Sequence, residues 1–392
     1  LVAVQQAFQA ILKSTINVNG YNIKKIDDEL RINISAYQSN QNNENNKTIP
    51  TILPYITFYS GSNKYNQYTY DNTIEFYNIF RDIPTTVHSK SQRKISSNIL
   101  IDRKFIKYGT RINYSSNIYN QIFNVEDKKI NNISVSNNYF RTFPIFGINL
   151  ETPFRLIKNY GNLVYTPKLS FVVSPGASNT NKISNEDSSV NSYTIDNNSN
   201  LNRFTGSDKM DNSKRINLGF EISNEKISAN LLQSYEFTNN SNFHYSQGNE
   251  KKLSDLLGDL SYSEKNYNTS YAFRYDVHDE FVKSQNLNLN IENRFSFIEL
   301  KYLDQKSKTD EIIISDNETL NYKIDTKKIN KFSKISYFGL YDVKNTFNKE
   351  SGLKYSYFDE CFGLNIDFKR NSYADNDLKP QDSITIMLSF KN

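Results

Sequence analysis

Few residues in this chain of 392 have the types and spacing that bond-making chemistry requires. The histidines are His88, His244 and His278. A Ser–His–acid triad needs a base held within hydrogen-bond reach of a nucleophile. None of the three sits in a nucleophile motif, so no catalytic residue is assigned and no enzyme is expected. His278 lies beside Asp276, Asp279 and Glu280, which are ligand types for a metal. Their crowding into one polar connection reads as a solvated loop, so neither a metal nor a cofactor is expected. Cys361 is the single cysteine, which excludes an internal disulfide and a cysteine metal cluster. Its thiol is either available to another segment or buried and inert.

The densest grouping of polar chemistry is the insert 175–213. Asn185, Glu186, Asp187, Ser188, Arg203 and Asp208, with Arg215 just beyond, can make charge-assisted hydrogen bonds. Gly206 can take a turn conformation that other residues resist. A plain surface loop of this length is unusual unless it is functional or disordered. The insert is therefore either a mobile loop or a segment folded back into the body of the protein as a plug, and the second is expected.

Strands must position these residues. On the exit side of the insert Ile216, Leu218, Phe220 and Ile222 alternate with Asn217, Gly219 and Glu221, a period of two. From Thr15 onward such segments recur to the end, about nineteen of them, each long enough to cross a membrane at a tilt. Phe362, Leu364, Ile366 and Phe368 alternate with Gly363, Asn365, Asp367 and Lys369. Ile384, Ile386, Leu388 and Phe390 repeat the pattern, and Leu287, Leu289 and Ile291 alternate with asparagines. Unpaired Asn, Asp and Lys in a dry core would each cost about 1–3 kcal/mol. A water-filled interior accepts them, whereas a one-sided soluble sheet is the competing reading. Leu1 to Leu12 has helical spacing and reads as a short helix or a cut strand.

Composition agrees. Aromatics make up 14% of the chain, too many for a disordered one. Mean hydropathy is −0.67, and no run is long and apolar enough for a transmembrane helix. Neither fact argues against a transmembrane barrel, half of whose residues face water. The net charge of +5 is spread along the chain, so no nucleic-acid surface is expected.

The connections sort by parity. Counting back from the last strand, one set is short: 25–28, 61–65, 105–108, 158–161, 224–225, 265–266, 293, 327–331 and 359–360. The other is mostly long: 39–51, 81–92, 124–141, 175–213, 238–256, 277–281, 304–317, 344–350 and 371–381. Short periplasmic turns and long outer loops are the pattern of outer-membrane barrels. The expected fold is all-β, a large antiparallel transmembrane β-barrel. The first counted strand enters from outside, and the chain begins without Met or signal peptide, so residues 1–392 read as part of a larger barrel.

The phrase running from SPG (174–176) through ISNEDS (183–188) to NLNRFTGSDK (200–209) resembles the LptD family of lipopolysaccharide-assembly proteins. QSNQNNENNKTIPTILPYITF (38–58) and SYFDECFGLNIDFKRN (356–371) resemble further stretches of that family. Ser184 stands where relatives often have Pro, and Cys361 stands alone where some relatives have a pair.

The resemblance implies an outer-membrane translocon that inserts lipopolysaccharide into the outer leaflet. Sugars pass through the lumen and the lipid leaves sideways at a seam beside the last strand, here carrying Ile384, Ile386, Leu388 and Phe390. It implies that a periplasmic β-jellyroll is absent from this chain, and that Cys361 forms a disulfide to that domain. It also implies an LptE-like plug lipoprotein, the bridge protein LptA acting through the missing domain, and outer-membrane lipids as partners. The barrel-assembly machinery would read the end of the chain near Phe390. A passive porin or receptor-type transporter is the alternative, and a surface β adhesin the third.

Overall fold

The computed structural model describes residues 11–39, 45–156, 162–174, 180–188, 194–238, 251–309, 312–327, 329, 332–372 and 380–390. The suggested helix at 1–12 lies almost wholly outside them. Leu12 belongs to the first strand. The described strands are β1 (Ile11–Tyr21), β2 (Glu29–Ser39), β3 (Thr51–Tyr59), β4 (Asn63–Tyr65), β5 (Tyr68–Phe80), β6 (Ser91–Lys107) and β7 (Thr110–Ile130). Then come β8 (Ile133–Glu151), β9 (Phe154–Leu156), β10 (Leu163–Val173), β11 (Lys214–Ser223), β12 (Ile227–Glu236), β13 (Leu256–Glu264) and β14 (Tyr267–Asp276). The last are β15 (Phe281–Glu292), β16 (Ser296–Thr309), β17 (Ile312–Thr326), β18 (Ser333–Asp342), β19 (Phe347–Phe358), β20 (Phe362–Asn371) and β21 (Gln381–Phe390). The one described α-helix, α1 (Ile195–Asn198), is a single turn inside the insert, and a 3-10 turn at Asn46–Thr48 precedes β3.

All belong to one antiparallel sheet. β3 and β4 both pair with β5, and β8 and β9 both pair with β10. Each pair is one interrupted strand, so the crossings number nineteen, matching the sequence segments one for one.

The crossings divide into two compact units. One comprises 1–152, 168–218 and 234–253, and the other 153–167, 219–233 and 254–392. In the first, β6 and β7 run in unbroken register from Ser91↔Glu126 to Lys107↔Thr110. Tyr108 and Gly109 close that hairpin, both at positive φ (52° and 77°), the conformation a two-residue hairpin turn demands.

One expectation is corrected. The outer connections 124–141 and 304–317 are not loops. β7 and β8 continue pairing, past a register shift between Val125 and Lys128, to Ile130↔Ile133 and turn at Asn131–Asn132, both at positive φ. β16 and β17 continue to Thr309↔Ile312. These lengths are rich in Asn, Lys, Ser and Asp, so they lack an apolar row and look like loop. A strand pair standing in water needs none, because its ladder hydrogen bonds are satisfied by the partner strand.

Side-chain polarity is inverted relative to a water-soluble sheet. In the first unit the bare face carries Ile95, Ile122, Phe140, Phe171 and Leu218, and Phe140 is 72% exposed. The opposite face carries Gln92, Lys94, Gln121, Arg141, Arg215 and Asn217, all buried. In the second unit Leu260, Leu287, Leu353, Phe368, Ile384 and Ile386 are exposed. Its other face buries Asp255, Asp276 and Lys283 in ion pairs. Apolar rows of this extent left in water would drive aggregation; hydrocarbon is the solvent that suits them.

A lysine on the bare face is therefore costly. Leu287→Lys should destabilise the protein in bilayers by about 2–4 kcal/mol if the site lies near the midplane, whereas Asn286→Lys next to it should be near neutral. Urea unfolding in liposomes reads the difference, and equal effects would contradict the assignment of faces.

Candidate functional site

The insert 175–213 is built into the first unit. Its described parts, 180–188 and 194–213, lie on the polar face of β5–β8 and on the ends of β10–β12. Three anchors hold it.

The first is Lys94, the fourth residue of β6, with its side chain fully buried. Its ammonium meets Glu75 of β5 at 2.5 Å, Asp208 at 3.0 Å, and Asp187 at short range. It also lies 4.5 Å over the Tyr77 ring, and the Tyr77 hydroxyl donates to Asp208 at 2.8 Å. The second anchor is Arg81, which forks onto Glu186 with bonds of 3.0 and 2.6 Å. The third is Asp211, which takes Arg203 Nε at 2.7 Å and Arg215 Nη1 at 3.0 Å. Arg203 also binds Glu236 at the end of β12, and the Ser213 hydroxyl donates to the same carboxylate at 2.8 Å.

The two arms of the insert bind each other reciprocally. Glu186 and Asp187 donate their backbone N–H groups to Asp208 Oδ2 at 2.8 and 3.1 Å. Ser207 and Asp208 return theirs to Asp187 Oδ1 at 3.1 and 2.8 Å. Gly206 sits in this crossing at φ +70°, where an added Cβ would lie 2.4 Å from the Asp187 carbonyl oxygen. Only glycine fits there, for both reasons. Asn185 folds the tip by accepting from the Ser188 N–H at 3.0 Å and donating to the Ser188 carbonyl at 2.6 Å. Gln121 and Arg141, across from one another on β7 and β8, both donate to the Ser207 carbonyl. Apolar contact completes the seat. Met210 packs with Tyr119, Phe143, Ile145 and Val172, and Leu201 leans on that cluster. Ile183 packs on Phe123 and Val125.

Of the eight residues singled out in the sequence, Asn185, Glu186, Asp187, Ser188, Gly206 and Asp208 meet at the crossing, while Arg203 and Arg215, the second residue of β11, meet at Asp211. Sequence reasoning missed their partners: Glu75, Tyr77, Arg81, Gln92, Lys94, Gln121, Arg141, Asp211 and Glu236. A charge inside a strand on the water-facing parity, as at Lys94 and Arg141, is the signal that could have found two of them.

The other candidates are not brought together. His88 lies 3.4 Å from Glu186, beside the second anchor. His244 is outside the described residues. Asp276 caps its turn by accepting the N–H groups of His278 and Asp279 at 2.8 and 3.0 Å. Cys361 is exposed in the turn between β19 and β20, with its N–H on Asp359 Oδ1 at 3.0 Å, so the buried alternative is not what the structure shows. Ile384, Ile386, Leu388 and Phe390 lie exposed along β21. The recorded strand partner of β21 is β20, in register from Phe362↔Phe390 to Asn371↔Gln381.

Three carboxylates on one buried ammonium leave an excess of negative charge. Burial, offset only in part by Lys94, and then the neighbouring Asp187 carboxylate hold Asp208 up to about 6. Burial also opposes the charged form of Asp187. Lys94, the Ser188 hydroxyl and the Asp208 N–H outweigh it and hold that carboxyl below its ordinary 3.8. Burial is likewise outweighed at Glu186, by hydrogen bonds from His88 and Arg81, which hold it below its ordinary 4.5.

The family model described as "LptD: LPS transport system D" matches residues 9–367. A search of curated proteins finds no match. Among solved structures, the siderophore receptor PirA from Acinetobacter baumannii is 9% identical with a TM-score of 0.46, over 96% of this chain and 70% of that one. A mutant of the ferric enterobactin receptor PfeA from Pseudomonas aeruginosa is 9% identical with a TM-score of 0.47, over 95% and 69%. The alcaligin receptor FauA from Bordetella pertussis is 10% identical with a TM-score of 0.38, over 97% and 69%.

Two outcomes follow for the seat. Lys94→Met leaves Glu75, Asp187 and Asp208 without their cation and should weaken the seated insert by about 3–5 kcal/mol. Limited trypsin digestion at Lys182 and Lys209 reads this, and wild-type resistance in the variant would contradict it. The pH dependence has two limbs. Asp208, raised, contributes fully below about 4 and loses its contribution as pH climbs through about 6. Asp187 and Glu186, lowered, contribute above their ordinary 3.8 and 4.5 and lose it as pH falls below. Amide exchange in the insert, corrected for intrinsic rates, should be slowest near pH 4 to 4.5 and should speed up on either side. A monotonic profile would contradict the coupling.

Proposed function

The chain belongs to the LptD family, whose members handle lipopolysaccharide at the outer membrane, and from that we propose that it is the translocon part that delivers the glycolipid to the outer leaflet. The sheet is the wall, with its apolar rows in lipid and its polar face lining a wet lumen. Sugars move along that polar face while acyl chains stay in hydrocarbon. The lipid leaves sideways beside β21, whose Ile384, Ile386, Leu388 and Phe390 face lipid and whose pairing is with β20 on one side. No covalent bond is broken in this scheme.

The observation that carries the reading is the seated insert. An LPS translocon must keep small solutes from leaking through a lumen wide enough for glycans. A segment pinned by Lys94, Arg81 and Asp211 supplies such a closure from within the chain. A passive porin has no use for a closure of this kind. An LptE-like lipoprotein would share the lumen, and a bridge protein such as LptA would deliver the lipid through a periplasmic β-jellyroll domain. The exposed Cys361, in the turn between β19 and β20, would join that domain by a disulfide. The barrel-assembly machinery would read the apolar terminal strand ending near Phe390.

Depletion in the native host should remove lipopolysaccharide from the cell surface and leave it in inner compartments. Normal surface lipopolysaccharide with lost uptake of small solutes would favour the porin. Deleting 180–208 should raise single-channel conductance in planar bilayers, and unchanged conductance would count against the insert as closure.

A further inference from the structure

Beside the insert's first anchor, β1–β3 enclose a half-open cavity of about 550 Å³. Its lining includes Asn17, Asn19, Arg31, Asn33, Tyr55 and Tyr59. Register places them in two rows: Asn17↔Asn33↔Tyr55, and Asn19↔Arg31. They occupy the face opposite the exposed Ile16 and Val18, which is the polar face of this unit.

The chemistry of the lining is specific. Arg31 is its one cation, and it is spent on Glu29 through bonds of 2.6 and 2.8 Å. No free positive charge remains for a phosphate or carboxylate. What remains is neutral. The Oδ1 of Asn33 already accepts from Thr15 and Ser35, at 3.3 and 2.5 Å, so its amide N–H groups are left to donate. The Asn19 side-chain amide and the Tyr59 hydroxyl make no hydrogen bond among the described residues. The Tyr55 ring is held flat, stacked on Tyr77 with centroids 6.4 Å apart and planes 12° apart, and its hydroxyl is fixed on Glu75 at 2.7 Å. Planar amides with spare donors and acceptors suit vicinal hydroxyls, and a fixed ring offers a flat surface for an apolar sugar face.

We propose that this cavity is a binding subsite for neutral sugar rings, set beside the seat of the insert. It rests on the reading that this face lines the path of a glycolipid's saccharide. Tyr55 of the lining is bonded to Glu75, a carboxylate of the Lys94 anchor, so an occupied cavity abuts the closure itself.

The test uses the protein purified from outer membranes in detergent, with maltotriose as the neutral probe and inositol hexakisphosphate as the anionic one. Saturation-transfer NMR should show maltotriose binding that is not displaced by the anionic probe. Asn17→Ala with Asn19→Ala should weaken binding at least tenfold. Tyr59→Phe, which keeps the ring and the shape of the cavity, should weaken it less, which guards against a folding defect. No maltotriose binding by the wild type, equal binding by all variants, or displacement by the anionic probe overturns the proposal. Surface delivery of lipopolysaccharide is scored with the same variants in cells. Delivery without maltotriose binding sinks the subsite alone, whereas binding without delivery by the wild type sinks the translocon reading and leaves the subsite standing.

Discussion

One buried lysine ammonium organises the first unit. Lys94 stands near the start of β6 with no water access, and its charge is tolerable only because Glu75, Asp187 and Asp208 surround it. Two of those carboxylates come from the insert, so the strand and the insert each need the other. A buried charge left without its partner costs several kcal/mol, far more than the pair contributes net. The seat is therefore specified as much by what its absence would cost as by what its presence adds. The reciprocal backbone bonds between the Asp187 and Asp208 arms then fix the shape that reaches the lysine. Glycine at 206 is the steric condition for that crossing.

This arrangement depends on an inverted sheet. In a water-soluble protein the apolar row would face the insert and the polar row would face solvent. Here the insert meets Gln92, Gln121, Arg141 and Asn217, while Ile95, Ile122 and Phe171 are bare. Apolar contribution to the seat comes from small clusters around Met210 and Ile183. Charge-assisted bonds in a water-poor pocket carry the rest, and they give direction and register that non-directional apolar contact does not.

Most of the fold was legible because a period of two is a strong signal when repeated. Each crossing, from the Ile16 and Val18 row to the Ile384–Phe390 row, shows it. The tall hairpins β7–β8 and β16–β17 were misjudged as loops because their outer lengths alternate nothing; water on all sides removes the pattern but not the ladder. The insert's own polar residues could be named from their clustering, and all were found in the seat. Their partners could not, because Lys94, Gln121 and Arg141 sit among many Asn, Lys and Ser residues of the same parity. Nothing local separates a polar side chain that meets water from one that meets a folded-back segment sixty or more residues away. The cavity on β1–β3 was invisible for the same reason, since its lining residues come from three strands and only register brings them together.

The central claim is that this sheet faces lipid on its aliphatic side and its own insert on its polar side. The direct measurement is spin-label accessibility along β7, on a Cys361→Ser background, in reconstituted bilayers. Labels at Ile118 and Ile122 should collide freely with oxygen and little with a water-soluble nickel chelate, while labels at Tyr119 and Gln121 should be shielded from both. Shielding at Ile118 and Ile122, with chelate access at Tyr119 and Gln121, would place a packed core where lipid is claimed and water where the insert is claimed.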